Sequence, residues 1–146
     1  MRSGHGQIVN VDSINYKKGI RMKKIVELFH DIDCTLSPMI SFYSALSDQK
    51  FLKVLHYFSE ETGYGNEYHI CTFSDDLEPW EEGYVENGIE FLDGTGDTDK
   101  SVIVDYETFL TYLNKICRVY IEDHAHDKEK VMALLHKIKQ NYSIED

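Results

Sequence analysis

The chain has 146 residues, 42% of them hydrophobic and 12% aromatic, which suits one domain with a buried core and excludes a disordered protein. Its formal net charge of -11 argues against nucleic acid and anionic membrane as partners. No apolar run approaches the roughly 18–20 residues that span a bilayer.

The charge is unevenly spread. Residues 1–24 hold six of the fifteen basic residues (Arg2, Lys17, Lys18, Arg21, Lys23, Lys24) and one acid, Asp12. The remainder carries a net of -16, and residues 54–99 contain thirteen Asp and Glu with no Lys or Arg. A field of that sign attracts a basic protein, although acidity also serves solubility. The opening MRSGHGQIVNVDS lacks a hydrophobic signal core. Met22 precedes Lys23-Lys24 and an apolar stretch, so residues 1–21 read as an N-terminal extension and 22–146 as the domain. Three scattered cysteines, Cys34, Cys71 and Cys117, form no disulfide framework. They fit a reducing cytoplasm, each as a small buried hydrophobe.

In chain order, residues 24–29 (KIVELF) are a short apolar strand or helix. Pro38 stands where a helix can begin, and Ile40, Tyr43, Ala45 and Leu46 follow at near-helical spacing. Ser47-Asp48 offers an N-cap for a helix over 48–62, whose stripe is Phe51, Leu52, Val54, Leu55, Tyr57 and Phe58. Gly63 and Gly65-Asn66 end it. Residues 68–73 (YHICTF) read as a strand, 74–87 as a long acidic loop, and 88–92 and 101–104 as strands joined by a Gly-Thr-Gly-Asp-Thr-Asp hairpin. Asp105 can cap a helix to about residue 123, with Phe109, Leu110, Leu113, Ile116, Cys117 and Tyr120 on one face. Asp127 can cap the last helix, whose inner positions are Val131, Leu134, Leu135 and Ile138. The outline is α+β: about three antiparallel strands packed against about four helices.

Two motifs suggest chemistry. Residues 29–36 (FHDIDCTL) contain Asp31-Ile32-Asp33-Cys34-Thr35, which resembles the DxDxT signature of haloacid-dehalogenase-type phosphatases. That resemblance would make Asp31 the nucleophile and Asp33 the acid beside it, with magnesium bridging carboxylate and phosphate. The remaining parts of such a site are missing. Lys50 and Lys53 sit on the solvent side of an amphipathic helix, and no acid stands four residues after Asp97, where Ser101 is found. His124-Ala125-His126-Asp127 looks like a metal tract, yet it lies where a polar connector between helices is expected. Gly94-Thr95-Gly96 is too short for a phosphate loop.

The segment 75–90, DDLEPWEEGYVENGIE, is the stronger candidate. Asp75, Asp76, Glu78, Glu81, Glu82 and Glu86 surround Trp80 and Tyr84, with Pro79 stiffening the backbone. Binding surfaces favour Trp and Tyr as anchors, and carboxylates around them suit a basic partner. Trp80 could equally tuck into the protein's own core.

Several blocks in order, FYSALSDQKFLKVLHYF at 42–58, TGYGNEYHICTF at 62–73, GIEF at 88–91, VIVDYETFLTYL at 102–113, and CRVYIE with DKEKVMALLHKIKQNY up to 142, together resemble CdiI-type immunity proteins of contact-dependent growth inhibition systems. The resemblance implies a non-catalytic protein of bacterial competition without metal or cofactor. Its partner would be a cognate ribonuclease toxin domain, the C-terminal region of a large secreted effector. On that reading the acids at 75–86 with Trp80 and Tyr84 meet the toxin's basic RNA-binding region. Two other readings stay open: a small magnesium-dependent phosphatase using DIDCT, and an acidic regulatory module for another basic protein.

Overall fold

An antiparallel sheet of four strands carries the helices on one of its faces. The computed structural model describes residues 24, 25, 27, 28 and 33–142, with Asp75 described by its backbone alone. Among the described residues, after the helical Lys24, Ile25, Glu27 and Leu28, four further helices and four strands follow one another: α1 (Ser37–Ala45), α2 (Asp48–Ser59), β1 (Tyr64–Gly65), β2 (His69–Phe73), β3 (Ile89–Asp93), β4 (Lys100–Val104), α3 (Tyr106–Asp123) and α4 (Lys128–Asn141). The strands lie in chain order, each antiparallel to the next. The α+β class expected from the sequence is the one observed. The strand beyond the three expected is the two-residue β1, which pairs Tyr64 with Cys71 and Gly65 with Ile70 inside the glycine-rich stretch read as a helix end. Lys24, Ile25, Glu27 and Leu28 are helical, which resolves the strand-or-helix choice there. Lys24 Nζ donates to Glu122 Oε1, tying this segment to α3.

Helix ends show which local signals act. Pro38 lies in the first turn of α1, where its missing N–H costs nothing. Asp105 Oδ1 accepts from Thr108 N at 2.7 Å and starts α3 as expected. Two other expected caps differ. Ser47 sits at the N-cap of α2 without a side-chain hydrogen bond. Asp127 precedes α4, but its carboxylate accepts from the Tyr120 hydroxyl at 2.8 Å and makes no cap bond. The end of α2 falls at Ser59, because Glu61, not a glycine, takes the left-handed conformation (φ 56°). Glu61 N donates to Phe58 O and Thr62 N to Tyr57 O, the paired bonds of a Schellman ending.

The core lies between the sheet and the helices. Cys71, Phe73, Ile89, Phe91 and Val104 point inward from the strands and meet Met39, Phe42 and Tyr43 of α1, Phe58 of α2 and Phe109 of α3. The aromatics interlock. Phe109 stands edge-on to Phe73 (centroids 5.5 Å, 86°) and to Phe58 (5.6 Å, 63°), and Phe42 stands edge-on to Phe91 (5.4 Å, 65°). The expected inner face of α3 is buried throughout, and α4 contributes Val131, Leu135 and Ile138, with Leu134 partly covered. Stacking of Phe51 on Tyr120 (4.3 Å) joins α2 to α3, and Asn141 Nδ2 donating to Ser59 O at 2.9 Å joins α4 to α2. Cys71 and Cys117 are buried as expected, whereas Cys34 is exposed, because, of the short turn Cys34–Leu36, only Leu36 packs against the core. Residues 1–21 lie outside the described residues.

Candidate functional site

The acidic loop leaves the sheet at Phe73, the end of β2, and returns at Ile89, the start of β3. Its root is a short 3-10 turn, Ser74–Asp76. There the Asp76 carboxylate accepts from Phe73 N at 2.6 Å and from Gly63 N at 3.0 and 3.2 Å. At the other end Val85 is buried, with Asn87 (φ 58°) turning the chain back into β3. Between these anchors the Glu81 carboxylate accepts from Glu78 N at 2.7 Å, and Glu81 N and Tyr84 N continue the turn by donating to Glu78 O and Glu81 O. Gly83 takes a φ of 86°, which a side chain would resist. The loop is thus locally folded, with its shape set by its own backbone.

This geometry sorts the residues expected to form the site. Trp80 is 80% exposed, so it does not enter the protein's own core. Glu78, Glu81, Glu82 and Glu86 are exposed around it, and Tyr84 is half-buried. Asp76 is an anchor: its oxygens are engaged by backbone N–H groups. The side chain of Asp75 lies outside the description. Sequence reasoning missed the neighbouring surface. Tyr68, Ile70 and Ile103 are exposed large hydrophobics on or beside the sheet, and their signal was available: HICTF and SVIV carry apolar residues at positions of both parities. An antiparallel sheet with one solvated face normally alternates instead.

Among the described residues no catalytic site is assembled from the alternative motifs. Asp31 lies outside the described residues, and Asp33 is exposed, its Oδ1 accepting from Thr35 N at 2.9 Å to cap a short turn. The dehalogenase-type reading requires alternating β/α units, whereas the sheet of the described residues is antiparallel throughout. Ser41 Oγ and His69 Nε2 lie 2.8 Å apart, with Asp93 Oδ1 3.8 Å from that same nitrogen. A serine relay needs the carboxylate on the opposite ring nitrogen. Asp93 instead accepts from Thr95 N and Oγ1, and these bonds hold its carboxyl below the usual range. In the His tract, His124 stacks flat on Tyr120 (4.1 Å, 3°) as part of the α3–α4 connector. Among the described residues no three His, Cys, Asp or Glu side chains converge to hold a metal. Among them, too, no helix is long and apolar enough to cross a membrane.

No curated protein matches the chain. Among solved structures, it is similar to an immunity protein, NMB0503, from Neisseria meningitidis MC58, at 12% identity, with a TM-score of 0.51 over 94% of this chain and 99% of that one. This likeness concerns the fold. The family model described as CDI immunity protein matches residues 22–135. With most of its length so matched, the chain belongs to the CDI immunity protein family.

Proposed function

We propose that this protein neutralises a ribonuclease toxin in the cytoplasm by holding the acidic β2–β3 loop against the toxin's basic RNA-binding region. Residues 22–146 act as the binding domain, and residues 1–21 are an extension outside it. One observation carries the reading: Trp80 is 80% exposed among exposed Glu78, Glu81, Glu82 and Glu86, on a loop folded by its own hydrogen bonds. An exposed indole on a shaped loop is an anchor awaiting a pocket. A ribonuclease cleft must attract polyanionic RNA, so carboxylates held in a fixed array take the place of phosphates and exclude substrate by occupancy and repulsion. No bond is made or broken in this action, and no cofactor enters it.

The test uses the purified chain and a candidate toxin domain taken from a reading frame adjoining its gene. The chain should suppress RNA cleavage at equal concentration and protect cells that express the toxin. Its dissociation constant should rise steeply when NaCl is raised to about 0.5 M, where charges on opposing surfaces are screened within a few ångströms. A dissociation constant indifferent to salt removes the acidic loop from recognition. A toxin domain that does not cleave RNA removes the ribonuclease.

A further inference from the structure

We propose that the outward face of the sheet is the centre of the toxin interface and that the acidic loop is its rim. This rests on the reading that the chain acts by binding a basic toxin domain.

Strand register puts the argument on one surface. Ile70, Leu92 and Ser101 are cross-strand partners, as are Thr72, Glu90 and Ile103, and all six side chains point away from the helices. Ile70 stands directly opposite Leu92, and Ile103 lies diagonal to Leu92, within reach of long side chains at about 7–8 Å. Single exposed apolar residues are ordinary, but contiguous ones on a sheet face are not. Among the described residues the exposed large hydrophobics are Tyr68, Ile70, Trp80, Ile103 and Met132. Only Met132, on α4, lies apart from this sheet and its loops. At the β1 edge the neighbour of Ile70 is Gly65, where a Cβ would come within 3.1 and 3.2 Å of the Ile70 side chain, so residue 65 itself places nothing over that flank.

Charge chooses the occupant. Among the described residues the outward face holds Glu90 and no basic side chain, and the loop that leaves β2 and returns to β3 adds the exposed glutamates. Burial raises the Glu90 carboxyl above the ordinary range. A second copy of this chain would bring the same carboxylates against themselves across a two-fold axis, with like charges opposed. A basic protein domain brings the complementary sign. Interface physics assigns the parts: the apolar centre supplies the desolvated contact that slows dissociation, and the charged rim speeds encounter. Both parts are therefore needed for tight inhibition.

The experiment compares toxin-domain binding by the full chain, by Ile103→Thr, by Ile70→Thr/Ile103→Thr and by the control Met132→Thr, with thermal midpoints measured for each. Threonine keeps the β-branch that suits a strand, and Ile103 is 57% exposed on an edge strand, so the single variant tests the surface even if the double variant folds poorly. Expected is a dissociation constant raised about tenfold or more by the double variant, mainly through faster dissociation, with Met132→Thr unchanged. If the wild-type chain does not bind the toxin domain, the proposed function falls and this inference with it. If the wild type binds and Trp80→Ala weakens it while the sheet variants bind equally well, this inference alone is overturned. Sheet variants that convert a dimer to monomer without altering toxin affinity assign the face to a second copy and overturn it as well.

Discussion

Both carboxylate oxygens of Asp76 accept from the backbone N–H of Gly63, at 3.2 and 3.0 Å, and so fasten the root of the acidic loop to the chain entering β1. The contact is possible only because residue 63 has no side chain. A Cβ there would stand 2.0 Å from the Cys71 carbonyl oxygen and 2.6 Å from Asp76 Oδ2. Asp76, although exposed like the glutamates beyond it, therefore also fastens the scaffold that presents the loop.

Gly63→Ala should destabilise the fold by about 2–4 kcal/mol, since β2 backbone must shift to admit a methyl group. Asp76→Ala should cost about 1–3 kcal/mol by leaving the Gly63 and Phe73 N–H groups without their acceptor. Urea unfolding followed by circular dichroism measures both. Stability equal to wild type in either variant would refute the anchoring role.

Trp80→Ala should leave the unfolding midpoint unchanged, because the side chain is exposed, and should weaken toxin binding by over about 1–2 kcal/mol. Replacing Glu78, Glu82 and Glu86 with Gln should lower the association rate and flatten its salt dependence, with a smaller effect on dissociation. Surface plasmon resonance at two salt concentrations separates the two parts. A triple variant with unaltered association kinetics would show that the carboxylates do not steer.

The Asp105 carboxyl is held below its ordinary range by hydrogen bonds from Thr108, and that of Asp93 by hydrogen bonds from Thr95. A folded-state pKa below the unfolded one means that the unfolded chain takes up the proton first as the solution is acidified. The stabilisation is complete above the unfolded value of about pH 4 and is lost as pH falls through the folded values. The difference in thermal midpoint between wild type and Asp105→Ala should be largest at neutral pH and should narrow below about pH 4. A gap of constant size across that interval would contradict the assignment.

Glu90 titrates with the opposite sign. Burial raises its folded-state carboxyl, so folding favours the proton and the ionised side chain is a burden at neutral pH. Glu90→Gln should raise the thermal midpoint at pH 7 and give no gain below about pH 4, where the unfolded chain also holds the proton. Thermal scans at the two pH values decide it, and equal gains at both would overturn the burial argument.

Thiol titration should find one fast cysteine in the native protein and three after unfolding. Cys34 is exposed, whereas burial pushes the Cys117 thiol up to about 12 and that of Cys71 well above its ordinary value. Two fast native thiols would place a second cysteine at the surface.

Local patterns carried much of the fold. The stripe of Phe109, Leu110, Leu113, Ile116, Cys117 and Tyr120 recurs at helical spacing, and Asp105 stands where its carboxylate meets Thr108 N. Pro38 acts through its fixed backbone preference, and the polar Gly-Thr-Gly-Asp-Thr-Asp run lies between two strands that pair, so they too were readable. Signals that depend on a distant partner were not. Asp127 had the right position for a cap, but the Tyr120 hydroxyl, brought close by folding, takes its carboxylate. Glu61 adopts the left-handed ending in place of Gly63, because the glycine is needed for close approach to β2.

The sequence by itself determined the α+β class, the helix faces and the acidic run without Lys or Arg, since periodicity and charge are properties of residue order. Only the tertiary structure decided that Asp76 ties the loop to Gly63, that Trp80 stands in solvent, and that the exposed Ile70 and Ile103 share one sheet face. Exposure depends on which elements pack over a residue. Register across strands brings together positions that are distant along the chain, and neither is written in any local window.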